Sequence, residues 1–479
     1  MMSNKLVKHA TAIAITTALL LGGATQTFAK NSVTDNNDYG VSHITRYDME
    51  KIPSQQNNAQ FSIPKFDPST IQNIPSAQGL DVWDSWPLQN ADGTVANYQG
   101  YHLVFALAGD PNNSNDTHIY LFYQKVGDTS LGSWKNAGKV FTDGDKLVPG
   151  DQYLKYQTQE WSGSATLTDN GMVRLFYTDY SGATQDGGSG LGNQVLTTAQ
   201  VDLSQPDANT LKVDGVEDHK SIFDGGDGSL YQNIQQFQDE GLWNSGDNHT
   251  LRDPHFIEDN GHKYLVFEAN TGTSDGYQGD QSLNNKAYYG GSDTFFQNDR
   301  NNLLQSPKKQ LASLANGALG IVELNDDYTV KKVLPPLITA NTVTDEIERA
   351  NVFKLKGKWY LFTDSRGSKM TISGIGDQDI YMLGYVSNSL TGPYKPLNGS
   401  GLVLHQNIDP NDTTWTYSHF AIPQTNSNNV VITSYMTNRG LYPDHHSTFA
   451  PSFLLNIHGP QTSVVPNSLL SQGQLTSNQ

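Results

Sequence analysis

Trp359-Tyr360-Leu361-Phe362-Thr363-Asp364 is an aromatic and aliphatic run that closes on polar residues and leads into the turn-prone Ser365-Arg366-Gly367. That composition is the mark of a buried β-strand bounded by a turn. Similar runs occur at Lys263-Tyr264-Leu265-Val266-Phe267-Glu268, Val173-Arg174-Leu175-Phe176-Tyr177-Thr178-Asp179 and His118-Ile119-Tyr120-Leu121-Phe122-Tyr123. Their wide, uneven spacing predicts the blades of an all-β propeller with long insertions, not the tight period of a solenoid. The alternative at this level is another all-β fold, which would repeat such runs too.

Beyond these runs, further strands are predicted at Ile380 to Val386, Val430 to Met436 and Phe453 to Ile457. Thr294 to Asn316 is less strand-like, and Leu303, Leu304, Leu311 and Leu314 at roughly helical spacing predict a helical insertion. Ser42 to Met49 reads as a short helix capped by Ser42 or Thr45. Gly182 to Gly192 and Asp224 to Gly228 have the Gly and Asp density of surface turns. No low-complexity linker divides the chain after its leader, so Lys30 to Gln479 is expected to be a single catalytic domain, with Lys30 to Gly40 as a mobile N-terminus.

The leader itself is Met1 to Ala29. Lys5 and Lys8 give a basic start, Ala10 to Gly22 an apolar run, and Thr27-Phe28-Ala29 a small-residue cleavage site, so cleavage after Ala29 and secretion are expected. The apolar run is short for a membrane span, which needs about 20 residues, and no membrane anchor is expected. The chain has no Cys, so its stability must come from a large core, with room for a bound metal. The formal charge is −18. That acidity opposes sequence-independent nucleic-acid binding, which depends on clustered Lys and Arg, and suits neutral ligands or captured cations.

Three motifs join carboxylates to sugar-binding chemistry: Trp83-Asp84-Ser85-Trp86, Arg252-Asp253-Pro254 and Glu346-Ile347-Glu348-Arg349-Ala350-Asn351. A retaining glycosidase needs a carboxylate nucleophile and a carboxylic acid that protonates the leaving oxygen. Asp84 lies between two indoles, platforms for the C–H faces of a sugar, although an aromatic core edge with a solvated Asp reads the same way. Trp161 and Ser162, in Glu160-Trp161-Ser162-Gly163-Ser164, add a stacking surface and a hydroxyl, or are only a strand ending in a Gly turn. Pro254 restrains Asp253 to an extended or turn backbone, from which it can bind a pair of hydroxyls; the plainer reading is a surface Arg-Asp pair. Asp247-Asn248-His249 lacks a second His at ligand spacing, which argues against zinc.

An extended backbone sends Glu346 and Glu348 to one face and Ile347 to the other. Two neighbouring carboxylates should raise the pKa of at least one, as a general acid requires; a lift of two units takes about 2.7 kcal/mol. The alternative is the acidic first turn of a helix starting near Thr344. Arg366, in Asp364-Ser365-Arg366-Gly367, offers a guanidinium fork to a hydroxyl or a carboxylate.

With these residues the chain resembles the bacterial levansucrases, secreted sucrose-using fructosyltransferases of the five-bladed β-propeller class. The markers are Gly79 to Leu88, Glu160 to Ala165, His249 to His255 and Thr344 to Asn351. The resemblance implies a central funnel-shaped active site in which Asp84 is the nucleophile, Glu348 the acid/base and Asp253 the stabiliser of fructosyl hydroxyls. It implies that Trp83, Trp161, Ser162 and Arg252 line the fructosyl subsite, and that Asn248, Glu346, Arg366 and Tyr417 position the glucosyl unit or the acceptor. It also implies a structural Ca²⁺ held by Asp247, Gln278, the Leu314 carbonyl, Asn316 and Asp345, a set of oxygen ligands that suits a hard cation. The implied partners are sucrose and fructan acceptors, and the expected state is a monomer. Rivals are a hydrolytic β-fructosidase, an inulosucrase making β-2,1 links, and a carbohydrate-binding propeller without catalysis.

Overall fold

In a computed structural model, residues 40–182, 192–242, 245–274, 276–407, 415–437 and 446–477 are described. The expected leader, the segment 30–39 and nearly all of the Gly182 to Gly192 turn lie outside the described residues.

Five antiparallel blades follow one another along the chain. Blade 1 is Asp81–Gln89, Tyr101–Gly109, His118–Lys125 and Lys135–Lys139; blade 2 is Gln159–Leu167, Val173–Ser181, Asn193–Asp207 and Thr210–Phe223. Blade 3 is Leu251–Asp259, His262–Asn270, Gly317–Leu324 and Val330–Thr339. Blade 4 is Glu348–Leu355, Lys358–Arg366, Asp379–Ser387 and Leu402–Asn407, and blade 5 is Thr416–Pro423, Asn429–Met436, Phe453–His458 and Gln461–Val464. The first strand of each blade is innermost. These five strands touch in sequence around an axis, blade 5 returning to blade 1, which closes a five-bladed propeller. Blades 1 and 2 are further stitched by a short parallel pairing, Leu88 with Ala165 and Gln89 with Thr166. At the other seam, Val82 N–H donates to Ser447 O at 2.9 Å and Ser447 N–H to Asp81 Oδ1 at 2.8 Å.

The run Trp359 to Asp364 is apolar on both faces because a blade is sandwiched between two others. Leu361 packs with Val266, Ile321 and Val352 towards blade 3. Tyr360 and Phe362, alternate in the strand, pack with Ile432 and Phe453 towards blade 5. The same alternation governs Lys263 to Glu268: Val266 joins the core between blades 3 and 4, while Leu265 and Phe267 join Phe176 and Phe256 between blades 2 and 3.

Three of the four similar runs are the second strands of blades 2, 3 and 4. His118 to Tyr123 is the third strand of blade 1, whose second strand is the wholly buried Tyr101–Gly109. The helical insertion is two helices, Asp293–Gln305, capped by the Ser292 side chain, and Lys309–Leu314, because Pro307 falls between them. At the N-terminus Thr45 caps Arg46–Met49 by accepting from Asp48 N–H, while Ser42 pairs in parallel with Ile338 at the edge of blade 3. Among the described residues no helix is long and apolar enough to cross a membrane.

Candidate active site

All five inner strands lose register with their neighbour at the same place. The breaks fall between Val82 and Ser85, Trp161 and Ser164, Arg252 and His255, Glu348 and Asn351, and Tyr417 and Phe420. Each expels two residues from the ladder: Trp83-Asp84, Ser162-Gly163, Asp253-Pro254, Arg349-Ala350 and Ser418-His419. Bulges re-aim side chains and bend the strand. Asp253, Arg349 and Ser418 take φ of +57°, +60° and +56°, a left-handed conformation that costs about 1 kcal/mol or more outside glycine. For Asp253 this is the turn alternative, not the extended one. In blade 2 the break needs Gly163, where a Cβ would lie 1.9 Å from Phe176 O.

The breaks of blades 1, 2 and 3, with Glu348 just before that of blade 4, open on a cavity of about 490 Å³, within the range of small-molecule sites. Trp83, Asp84, Trp161, Ser162, Arg252, Asp253, Glu346, Glu348 and Arg366 all line it. Asn248 and Tyr417 stand one contact back: Asn248 Nδ2 donates to Glu346 Oε2 at 3.0 Å, and Tyr417 OH donates to Glu348 Oε2.

The carboxylates are held in different ways. Ser162 Oγ donates to Asp84 Oδ2 at 2.6 Å, and the Trp161 ring beside it is stacked on Tyr180 at 4.0 Å with 12° between planes. Asp253 Oδ2 accepts Arg349 N–H at 2.9 Å while its own N–H donates to Thr178 Oγ1 at 3.0 Å. Burial, only partly offset by Arg349 and Arg252, pushes the Asp253 carboxyl up to about 6. Arg252 forks between buried Glu268, at 2.7 Å through Nε, and the pair Glu346 and Glu348, at 3.4 and 3.3 Å through Nη2. Arg366 Nε lies 3.8 Å from Glu348 Oε2, its guanidinium 4.5 Å from the Tyr417 ring centre.

Glu346 and Glu348 do share a face, with Ile347 buried behind them, and no helix starts at Thr344. The expected rise in the acid's pKa is not found at Glu348. Burial pushes this carboxyl up, but Arg252, Arg366, the Tyr417 hydrogen bond and Lys369 outweigh it and hold it below its ordinary value.

The sequence reading missed Leu107, Ser114, Thr117, Gln159, Ser368 and Lys369, which also line the cavity. Lys369 Nζ is 3.8 Å from Glu346 Oε2; its only sequence signal is a place three residues after Arg366, across the turn Gly367–Lys369. Glu268 was missed as the anchor of Arg252, although it ends one of the repeated runs and pairs with Arg252 in register.

Of the residues nominated for a cation, Asp247, Gln278, Asn316 and Asp345 come together. Gln278 Nε2 donates to Asp247 Oδ2 at 3.0 Å, and Asn270 Nδ2 donates to both Asn316 Oδ1 and Asp345 Oδ1 at 2.9 Å. Asp247 Oδ1, Gln278 Oε1 and Asp345 Oδ2 are buried oxygens without a hydrogen-bond partner among the described residues. Leu314 ends its helix, where carbonyls lack intrahelical partners. Burial raises the carboxyls of Asp247, to about 6, and Asp345. Unsatisfied buried oxygens from two acids and an amide fit a hard cation.

Carboxylates from three blades, gathered with indoles and guanidinium groups in one axial cavity, define a propeller built to process glycosides. The chain matches the levansucrase/invertase family profile over residues 33–475, and it belongs to that family. It is 69% identical over 477 residues to the levansucrase of Bacillus subtilis (strain 168), covering 99% of each chain. A crystal structure of Bacillus subtilis levansucrase superposes with a TM-score of 0.89, covering 92% of this chain and 98% of that one at 70% identity. A crystal structure of a levansucrase complexed with sucrose also superposes with a TM-score of 0.89, at the same identity and coverage. A protein of Geobacillus stearothermophilus described as an inactive levansucrase is 68% identical over 478 residues, again covering 99% of each chain.

Proposed function

We propose that this protein is an active levansucrase, which moves the fructosyl unit of sucrose to a growing β-2,6 fructan or to water and releases glucose. Family membership alone does not carry activity, since a relative described as inactive is nearly as similar as one that is not. The observation that carries it is that Asp84, Asp253 and Glu348 open into one cavity, each held by a different donor.

Asp84 attacks the anomeric carbon of the fructosyl unit as Glu348 protonates the glycosidic oxygen. The bond to glucose breaks, glucose leaves, and a fructosyl ester forms on Asp84. Glu348, now a carboxylate, takes the proton of the incoming hydroxyl, and the oxygen of that hydroxyl displaces Asp84. Asp253 binds two fructosyl hydroxyls, and Arg252 holds the acid between Glu268 and the cavity. Glu348 must gain its proton in the sucrose complex, where the sugar displaces water and desolvates the carboxyl, since the open cavity favours its ionised form. Arg366 and Glu346 face the leaving glucose or the entering acceptor, while Asn248 and Tyr417, one contact back, help to position it by holding Glu346 and Glu348.

Asp247, Gln278, the Leu314 carbonyl, Asn316 and Asp345 would hold Ca²⁺. The ion would supply a fixed positive charge that draws the Asp345 and Asp247 backbones together. Asp345 precedes Glu346 and Asp247 precedes Asn248, so the site would fix the Asn248 to Glu346 hydrogen bond. The leader directs export with cleavage after Ala29, leaving one secreted catalytic propeller; a mature N-terminus at Lys30 in the culture medium tests this.

The test of function is incubation of the purified protein with sucrose, quantifying glucose, fructose and polymer linkage together. Glucose in excess of fructose with β-2,6 polymer is the expected result. Equal glucose and fructose would make it a β-fructosidase, β-2,1 polymer an inulosucrase, and no glucose a binding propeller.

A further inference from the structure

Behind Glu348 stands a carboxylate that the reaction does not use. Asp364, on the second strand of blade 4, is the direct cross-strand partner of Glu348, so the two side chains share a face of the sheet. Asp364 is fully buried, and among the described residues neither of its oxygens has a hydrogen-bond partner. His419, expelled into the break of blade 5, brings Nδ1 to 3.8 Å from Asp364 Oδ1, and its Nε2 meets Thr416 Oγ1 at 3.0 Å. Blade 3 has Glu268 at the equivalent position, bonded to Arg252, and blade 2 has Thr178. Like charges directly opposite each other repel, so an unbonded buried acid at this point needs a reason.

We propose that Asp364, backed by His419, is a positioning residue for the proton of Glu348: its carboxylate opposes the guanidinium groups in front of Glu348 and sets the pH up to which the acid stays protonated. This rests on the assignment of Glu348 as the acid. Glu348 faces Arg252, Asp253 and Glu268 from blade 3, Arg366 and Lys369 from blade 4, Tyr417 and Tyr435 from blade 5 and Glu346 from its own segment. The pull of Arg252, Arg366 and Lys369 outweighs that of the acids. Asp364 faces His419 and Arg349, with Tyr417 and Tyr435 also within electrostatic reach. Burial pushes the Asp364 carboxyl up, His419 and Arg349 pull it down, and Glu348 pushes it up again. That repulsion is mutual, so a negative Asp364 raises the proton affinity of Glu348.

Asp364→Asn keeps the shape and removes the charge. The kcat profile against pH for sucrose cleavage should then lose its basic limb about one unit earlier, because the acid gives up its proton at lower pH, with KM for sucrose little changed. Asp364→Thr, which places the side chain of the equivalent blade 2 position, should move the limb in the same direction and serves if the Asn variant does not fold. A folded variant whose basic limb stays at the wild-type pH overturns the proposal. Wild-type protein that releases no glucose from sucrose overturns instead the functional reading beneath it.

Discussion

Asp84, Asp253 and Glu348 owe their places to backbone that departs from the strand at that residue or the next. The Trp-Asp, Arg-Asp-Pro and Glu-x-Glu motifs were legible in sequence through their joint presence and their resemblance to the levansucrases, since each alone also reads as an ordinary core-edge, surface or helix-turn feature. Their chemistry was less so. The acid's expected high pKa followed from Glu346 as its neighbour, but Arg252, Arg366 and Lys369, distant in sequence, reverse the sign. Asp84→Asn or Glu348→Gln should each lower sucrose turnover by about a thousandfold while leaving the thermal unfolding transition near that of the wild type. Near-normal glucose release by either folded variant would refute its assigned role.

At the scale of the element, the strand composition that marks the blades is a consequence of two-sided burial, and it was readable at Trp359 to Asp364. The breaks in the inner strands were not. They share a position along the inner strand and no side-chain pattern: Trp83-Asp84, Ser162-Gly163 and Asp253-Pro254 have nothing in common that a sequence scan would align. The strain they hold can be measured. Ser418→Gly, at φ +56°, should be neutral or stabilising by up to about 1 kcal/mol in urea unfolding. Gly163→Ala must push against the Phe176 carbonyl and should destabilise by about 2 kcal/mol. Equal effects of the two would mean that the breaks are unstrained.

For the whole molecule, two buried acid clusters set conditions for stability. Asp179, in blade 2, is pushed up to about 8 by burial, reinforced by Asp151 and Glu160, and neither oxygen has a hydrogen-bond partner among the described residues. Folded protein therefore keeps this proton between about pH 4 and pH 8 while unfolded chain, with Asp near 3.9, releases it. The native state is penalised increasingly as pH rises through that window. Asp179→Asn should accordingly gain little stability at pH 4 and progressively more towards pH 8; the same gain at both ends would show that Asp179 does not stay protonated. The second cluster is Asp247 and Asp345. If Ca²⁺ occupies it, chelation should lower the melting temperature and re-addition restore it, and a metal-free sample that melts unchanged would remove the ion from the account. Neither cluster was derivable from spacing, because their members converge from separate segments.

Because each blade is made from one continuous stretch of chain, the ring is shut where its two ends meet, at a seam that includes the hydrogen bonds of Asp81 and Val82 with Ser447 and the packing of Phe122 and Trp134 on Phe449. Asp84 lies two residues from that join. The proposed nucleophile therefore stands beside the one seam that joins the first blade of the chain to the last, and its surroundings are complete only when both ends of the propeller are in place.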